Sequence, residues 1–125
     1  MSNQPCVDPS VLEAACRVLG DTSDGLTGQE IGFILADMGV DDPAAGMTKW
    51  KRTFNALVLQ QNKHQVGNHL LMFINRAMAP ARFVQRPERF RRMQDGLNVA
   101  LSLAGYAVDD EGRCVHTTRE KTVSE

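Results

Sequence analysis

The residues that could do chemistry are few and poorly spaced for it. His64 and His69 lie five positions apart and His116 is far downstream. None falls at metal-ligand spacing or in H-E-x-x-H, the pattern that sets two imidazoles on one helix face. Without partners they are expected as surface or loop residues. Cys6, Cys16 and Cys114 are odd in number, far apart and lack a C-x2-C pair. The expectation is reduced thiols in a cytoplasmic protein, with Cys16 packed in a helix, rather than a zinc site or a disulfide framework. The carboxylate pairs Asp41–Asp42 and Asp109–Asp110 stand beside Pro43 and near Gly112, where Asp serves a turn by accepting from its own backbone. The stretch "GLTGQEIG" has glycines but neither the lysine nor the preceding strand of a phosphate loop, and no G-x-S-x-G occurs. These gaps argue against an enzyme, and no metal or cofactor is expected.

What remains is charge. The net of −1 over 125 residues conceals three blocks. From Met1 to Thr48 eight acids face Arg17 alone, a net of −7. From Lys49 to Arg92 ten bases face Glu88 alone, a net of +9, and the remainder carries −3. The middle block holds "KWKRTFNALVLQQNK" and "RFVQRPERFRR", where basic residues interleave with Trp50, Phe54, Phe83, Phe90 and several amides able to donate to phosphates or bases. On a helix, Lys49, Arg52 and Lys63 share the side opposite Trp50 and Phe54. Such a block is either a phosphate-binding rim or a solvated face that neutralises the acidic half, within one chain or between two copies. Trp50 is expected in the core, with a base-stacking platform as the alternative.

The elements that would position these groups are mostly helical. Asp8 caps a helix that begins at Pro9 and runs to Gly20, with Val11, Leu12, Ala15, Val18 and Leu19 on one face. Thr27 and Glu30 form a capping box, Ile31, Ile34, Leu35 and Met38 give the stripe, and Gly39 stops it. Thr48 opens the basic helix, which breaks near Gly67. Asn68 is expected to cap the next helix, "LLMFINRAMA", whose apolar character nearly all round marks the central buried element. Pro80 ends it. Pro87 starts a last helix with Phe90, Met93, Leu97, Leu101 and Ala104 as its stripe, closed by Gly105. A hairpin follows: Tyr106–Val108, the turn "DDEG", then Arg113–His116. The fold class is therefore all-α, a compact bundle of about five helices with a small C-terminal β-hairpin. Residues 1–7 and 117–125 are expected as flexible tails around one domain, 8–116. No apolar run reaches the length of a membrane span, and the first residues, without a basic and an apolar region, are not expected to be a signal peptide.

The ordered motifs "LTGQEIG", "MTKWKR", "PARF" and "PERF", between about Leu26 and Val115, resemble the N-terminal module of the bacterial, defence-associated proteins grouped as the Ymh family. The resemblance implies a helical recognition or interaction module of bacterial or phage origin, here without the C-terminal domain that follows it in that family. It names no catalytic residue. The expected function is a non-enzymatic recognition module whose basic face, Lys49, Arg52, Lys63, Arg82, Arg86, Arg89 and Arg92, engages nucleic acid or an acidic protein surface. The alternative is a small protein–protein inhibitor or regulator of a bacterial or phage defence complex.

Overall fold

The computed structural model describes residues 3–43 and 46–117. Five α-helices, α1 Pro9–Leu19, α2 Gly28–Met38, α3 Lys49–His64, α4 Asn68–Ala77 and α5 Pro87–Leu101, precede the strands β1 Tyr106–Val108 and β2 Cys114–His116. Short 3-10 turns at Pro80–Phe83 and Ser102–Ala104 follow α4 and α5. The all-α bundle with a terminal hairpin is as the sequence predicts. None of the helices is long and apolar enough to cross a membrane, among the described residues.

The helix ends follow local chemistry. The Asp8 carboxylate accepts from the Ser10 amide at 2.8 Å, and Pro9 occupies the first turn. Hydrogen bonds from Ser10 hold the Asp8 carboxyl below its ordinary value. Thr27 and Glu30 exchange both bonds of the capping box, at 2.8 and 3.1 Å, and Gly39 ends α2 in the left-handed region at φ 70°. Two expected caps fail. Thr48 stands at the start of α3 without a side-chain cap bond. Asn68 is the first residue of α4, Gly67 takes the cap position, and the Asn68 carboxamide accepts from the Gln4 amide at 2.7 Å instead.

The core is one cluster. α1 lies between α3 and α5, α4 packs on α2 and α3, and the hairpin rests on α5 and α4. Leu12, Leu19, Ile31, Leu35, Leu57, Phe73, Ile74, Met93, Leu97 and Leu101 are almost fully buried. Each such side chain contributes about 1.5–3 kcal/mol relative to leaving it in water. α4 has no exposed residue, which makes it the central helix the apolar run predicts. Cys16 is buried in α1, where loss of hydration drives its thiol pKa up.

The N-terminal segment is corrected by the structure: from Gln4 onward it is not a loose tail. Its backbone carbonyl at Gln4 accepts from the Gly67 amide at 2.9 Å. The buried Gln61 carboxamide accepts from the Val7 amide at 3.0 Å and donates to the Val7 carbonyl at 2.8 Å, copying a strand partner. Tyr106 donates its hydroxyl to Gln4 Oε1 at 3.1 Å. A Cβ on Gly67 would lie 2.4 Å from the Pro5 carbonyl oxygen, so the strap crosses where only glycine leaves room. At the other end, Thr117 donates its amide to the Gly105 carbonyl. Residues 118–125 and the first two lie outside the described residues.

Three amide side chains fasten the hairpin. Gln94 donates to the Val108 carbonyl at 3.0 Å, Asn98 accepts from the Val108 amide at 2.6 Å, and Asn75 accepts from the Cys114 amide at 2.8 Å. The turn at Gly112, φ 81°, is pressed against the end of α4: a Cβ there would fall 1.9 Å from the Met78 carbonyl oxygen.

Candidate interaction surface

The basic block does not form one open face. Lys49, in the first turn of α3, donates to the carbonyls of Leu26 at 2.8 Å and Asp21 at 3.2 Å. Arg52, one turn on, donates to the Gly28 carbonyl at 3.0 Å and grips the Asp42 carboxylate with two N–H groups. Arg89 donates to the carbonyls of Asp24 at 2.8 Å and Gly25 at 2.7 Å, and its side chain is only 12% exposed. Arg92 binds the Asp24 carboxylate through two bonds of 3.0 Å, which hold that carboxyl below its ordinary value. Arg82 reaches Glu30 at 3.4 Å and the Arg76 carbonyl at 3.0 Å. Five of the seven residues expected to meet a polyanion therefore hold the acidic N-terminal half, and they do so within one chain. Lys63 and Arg86 are exposed, and their side chains make no hydrogen bond or ion pair among the described residues. Lys63 sits fourteen residues beyond Lys49, about 21 Å along the helix, so the three α3 cations make no continuous patch.

The loop between α1 and α2 explains the pattern. Gly25 is buried and its Cβ position is filled by Asp21 backbone at 2.3 Å, so the chain folds back tightly and several carbonyls converge. Buried carbonyls need donors. Lys49 and Arg89 supply them from two different helices, and the acids of the loop draw in Arg92.

Trp50 also departs from expectation. It is half-buried at the start of α3, its ring edge-on to Phe54 at 6.4 Å, with the Arg17 guanidinium 3.9 Å from its centroid. The buried residues of α3 are Thr53, Ala56, Leu57 and Gln61, with Phe54 and Val58 partly buried against the core. The Arg17 guanidinium occupies one of the two π faces that a base could stack on.

The histidines gather no metal set: among the described residues no group of three or more His, Cys, Asp or Glu side chains converges. His64 and His69 stack with ring centroids 5.2 Å apart across the α3–α4 corner, and His116 lies against Tyr106. His69 Nδ1 is buried without a hydrogen-bond partner, and burial followed by repulsion from His64 lowers its pKa.

Apolar side chains stand exposed at several places, Phe33, Leu59, Val84, Val99 and Leu103 among them, and three hollows lie around residues 79–91. A groove of about 650 Å³ runs between α2 and the turn after α4, walled by Phe33, Ile34, Ala79 and Ala81 with Arg76 and Asp37 at its edge. A second hollow of about 470 Å³ shares Asn75, Arg76 and Ala79 with it and extends past Pro80 to Glu111 and Arg113 of the hairpin turn. A third, of about 210 Å³, continues from Pro80 between Phe83, Pro87 and Phe90 to Arg91 and Asp110. Phe33 is 65% exposed, and Val84, on the connecting segment, is 76% exposed. Ion pairs border the strip: Asp37–Arg76 at 2.6 Å, Glu30–Arg82 at 3.4 Å and Arg91–Asp110 at 3.5 Å.

Compared with protein families, curated proteins and solved structures, the chain matches none. Sequence reasoning found the segment Arg82–Arg92 but assigned its importance to charge. It missed Phe33, whose place in α2 two positions after Ile31 puts it off the buried stripe, and this spacing was the available signal. It also missed Asn75 and Gln94, because amides on a helix carry no pattern that foretells which backbone they will meet.

Proposed function

We propose that this chain is a non-enzymatic recognition module that binds a protein segment through the apolar surface around residues 79–91. On this reading the basic block serves chiefly to hold the acidic half of the fold. One contrast supports it most: five of the seven cations that a polyanion would need are engaged within the chain, whereas Phe33 stands in water at the wall of one of three neighbouring hollows and Val84 is exposed on the connecting segment. Exposed apolar surface rimmed by charged groups is characteristic of protein-binding sites. Phosphate contacts require free cations whose counterions are released on binding, and displacing Arg89 or Arg52 from their carbonyls would cost the fold its donors. The resemblance to defence-associated proteins suggests a partner within a bacterial or phage defence complex, with the module acting as a regulator.

The test has two arms. Mixed duplex DNA, single-stranded DNA and RNA are titrated at low and physiological salt by fluorescence anisotropy. The expected result is no saturable binding at physiological salt. Binding that falls steeply with salt and disappears in a Lys51→Ala/Lys63→Ala/Arg86→Ala protein would overturn the proposal in favour of a nucleic-acid module. In the second arm, a salt-tolerant partner retained by the wild type but not by Phe33→Asp or Val84→Asp supports it. Both positions are exposed, so loss of capture there cannot be blamed on a broken core.

A further inference from the structure

The smallest of the three hollows has room for little more than one side chain. Pro80, Phe83, Pro87 and Phe90 make its walls, with the two phenyl rings edge-on at 5.3 Å. Its volume of about 210 Å³ lies below the roughly 300–1,000 Å³ typical of small-molecule and cofactor sites, yet it suits a single large aliphatic or aromatic side chain. Two charged groups stand at its mouth. Arg91 and Asp110 approach to 3.5 Å, with side chains 65% and 79% exposed, so most of their hydrogen-bonding capacity faces solvent. Asp110 is nevertheless fixed. Gln94, only 5% exposed, donates from its Nε2 to Asp110 Oδ1 and to the Val108 carbonyl, each at 3.0 Å, and its Oε1 faces Arg91 at 3.5 Å. A buried amide thus sets an acceptor and a donor side by side over an apolar slot.

That mouth is a matched pair of opposite charges, and its complement is a group offering both a donor and an acceptor. The peptide backbone is such a group: an N–H can donate to Asp110 and a nearby C=O can accept from Arg91. A phosphate would meet the Asp110 carboxylate as a like charge. The geometry points to the Pro80–Phe90 slot as an anchor pocket that takes one bulky apolar side chain of an extended partner peptide, with Arg91 and Asp110 holding the peptide's backbone on either side. This inference rests on the protein-binding reading given above and assigns the residue chemistry that its partner must present. Gln94 acts as a positioning residue, holding Asp110 over the slot while it ties the hairpin to α5.

The experiment uses the full chain, isotope-labelled for NMR, and three acetylated, amidated pentapeptides: alanine throughout, or with a central leucine or tryptophan. Adenosine monophosphate serves as a nucleotide control. The leucine and tryptophan peptides are expected to shift the Phe83, Phe90 and Gln94 side-chain signals saturably, with the alanine peptide at least tenfold weaker. Asp110→Ala, at an exposed turn position, is expected to weaken the tryptophan peptide several-fold while the spectrum of the free protein keeps its dispersion. Equal response to the alanine and tryptophan peptides would overturn the slot, as would tryptophan-dependent shifts confined to Phe33 and Ala81. The second result would leave the broader protein-binding surface standing, so the two readings fail separately. Shifts at the slot by the nucleotide, with none by any peptide, would overturn both.

Discussion

Replacing Arg89 by alanine tests whether the basic block is structural. The Arg89 guanidinium spans from α5 to the α1–α2 loop and donates to two carbonyls, at 2.8 Å to Asp24 and 2.7 Å to Gly25, with Glu30 at 3.8 Å and the Phe83 ring beneath it. A hydrogen bond from a charged donor contributes about 1.5–3 kcal/mol. Two such bonds share one side chain and are not additive, and water recovers part of the loss at the loop. The expected destabilisation is therefore about 2–4 kcal/mol. For a domain of this size that lowers the thermal midpoint by roughly 6–16 °C. Arg86→Ala, three residues earlier on the same segment, removes a solvated charge and should cost less than about 0.5 kcal/mol. Arg89→Lys should fall between them, because an ammonium carries no planar fork to bridge two carbonyls. Urea unfolding followed by far-UV circular dichroism gives all three numbers. Equal midpoints for Arg89→Ala and Arg86→Ala would refute the reasoning, since the cations would then be interchangeable surface charges.

Three other outcomes follow from single contacts. Gly112→Ala should destabilise the hairpin by more than about 2 kcal/mol, since it adds left-handed strain of roughly 1–2 kcal/mol to a collision with the Met78 carbonyl. Gly46→Ala, with open space around it, should be near neutral in the same melting experiment. His69 has a folded pKa below its unfolded one, so the fold prefers the neutral ring. Stability should be flat in pH above about 6.5, fall as the pH drops through that value while only the unfolded chain takes up the proton, and level off below the folded pKa. A pH series of urea midpoints should lose that slope in His69→Gln. In a thiol-titration assay at mildly alkaline pH, Cys6 alone should react promptly. Cys16 is buried, and burial together with the nearby Asp109 charge pushes the half-buried Cys114 thiol up to about 12. Fast reaction of two or three thiols in the folded chain would contradict the packing.

Most helix ends, and the stripes of α1, α2 and α5, were legible because they depend on neighbours in sequence. The capping box needs only Thr27 and Glu30 three residues apart in the first turn, and Pro9, Pro87 and Gly39 act through their own backbone preferences. The run from Leu70 to Ala77 announced a buried helix by its composition alone. Partners across the chain were not legible in that way. Asn68 has the chemistry of a cap, yet the Gln4 amide reaches its oxygen, and nothing local signals a residue 64 positions away. Gln61 pairs with both backbone groups of Val7, a task that depends on where the N-terminal strap crosses α3.

The candidate site divides along the same line. The sequence by itself determined that acidic and basic residues fall in separate blocks, that helices carry them, and that Phe83 and Phe90 alternate with arginines on either side of Pro87. Tertiary structure decided what the charges meet. A guanidinium seeks the nearest carbonyls and carboxylates that folding buries, and the tight Asp21–Leu26 loop offers them to Lys49, Arg89 and Arg92. Those cations are thereby committed to the fold, which no spacing in the sequence could announce.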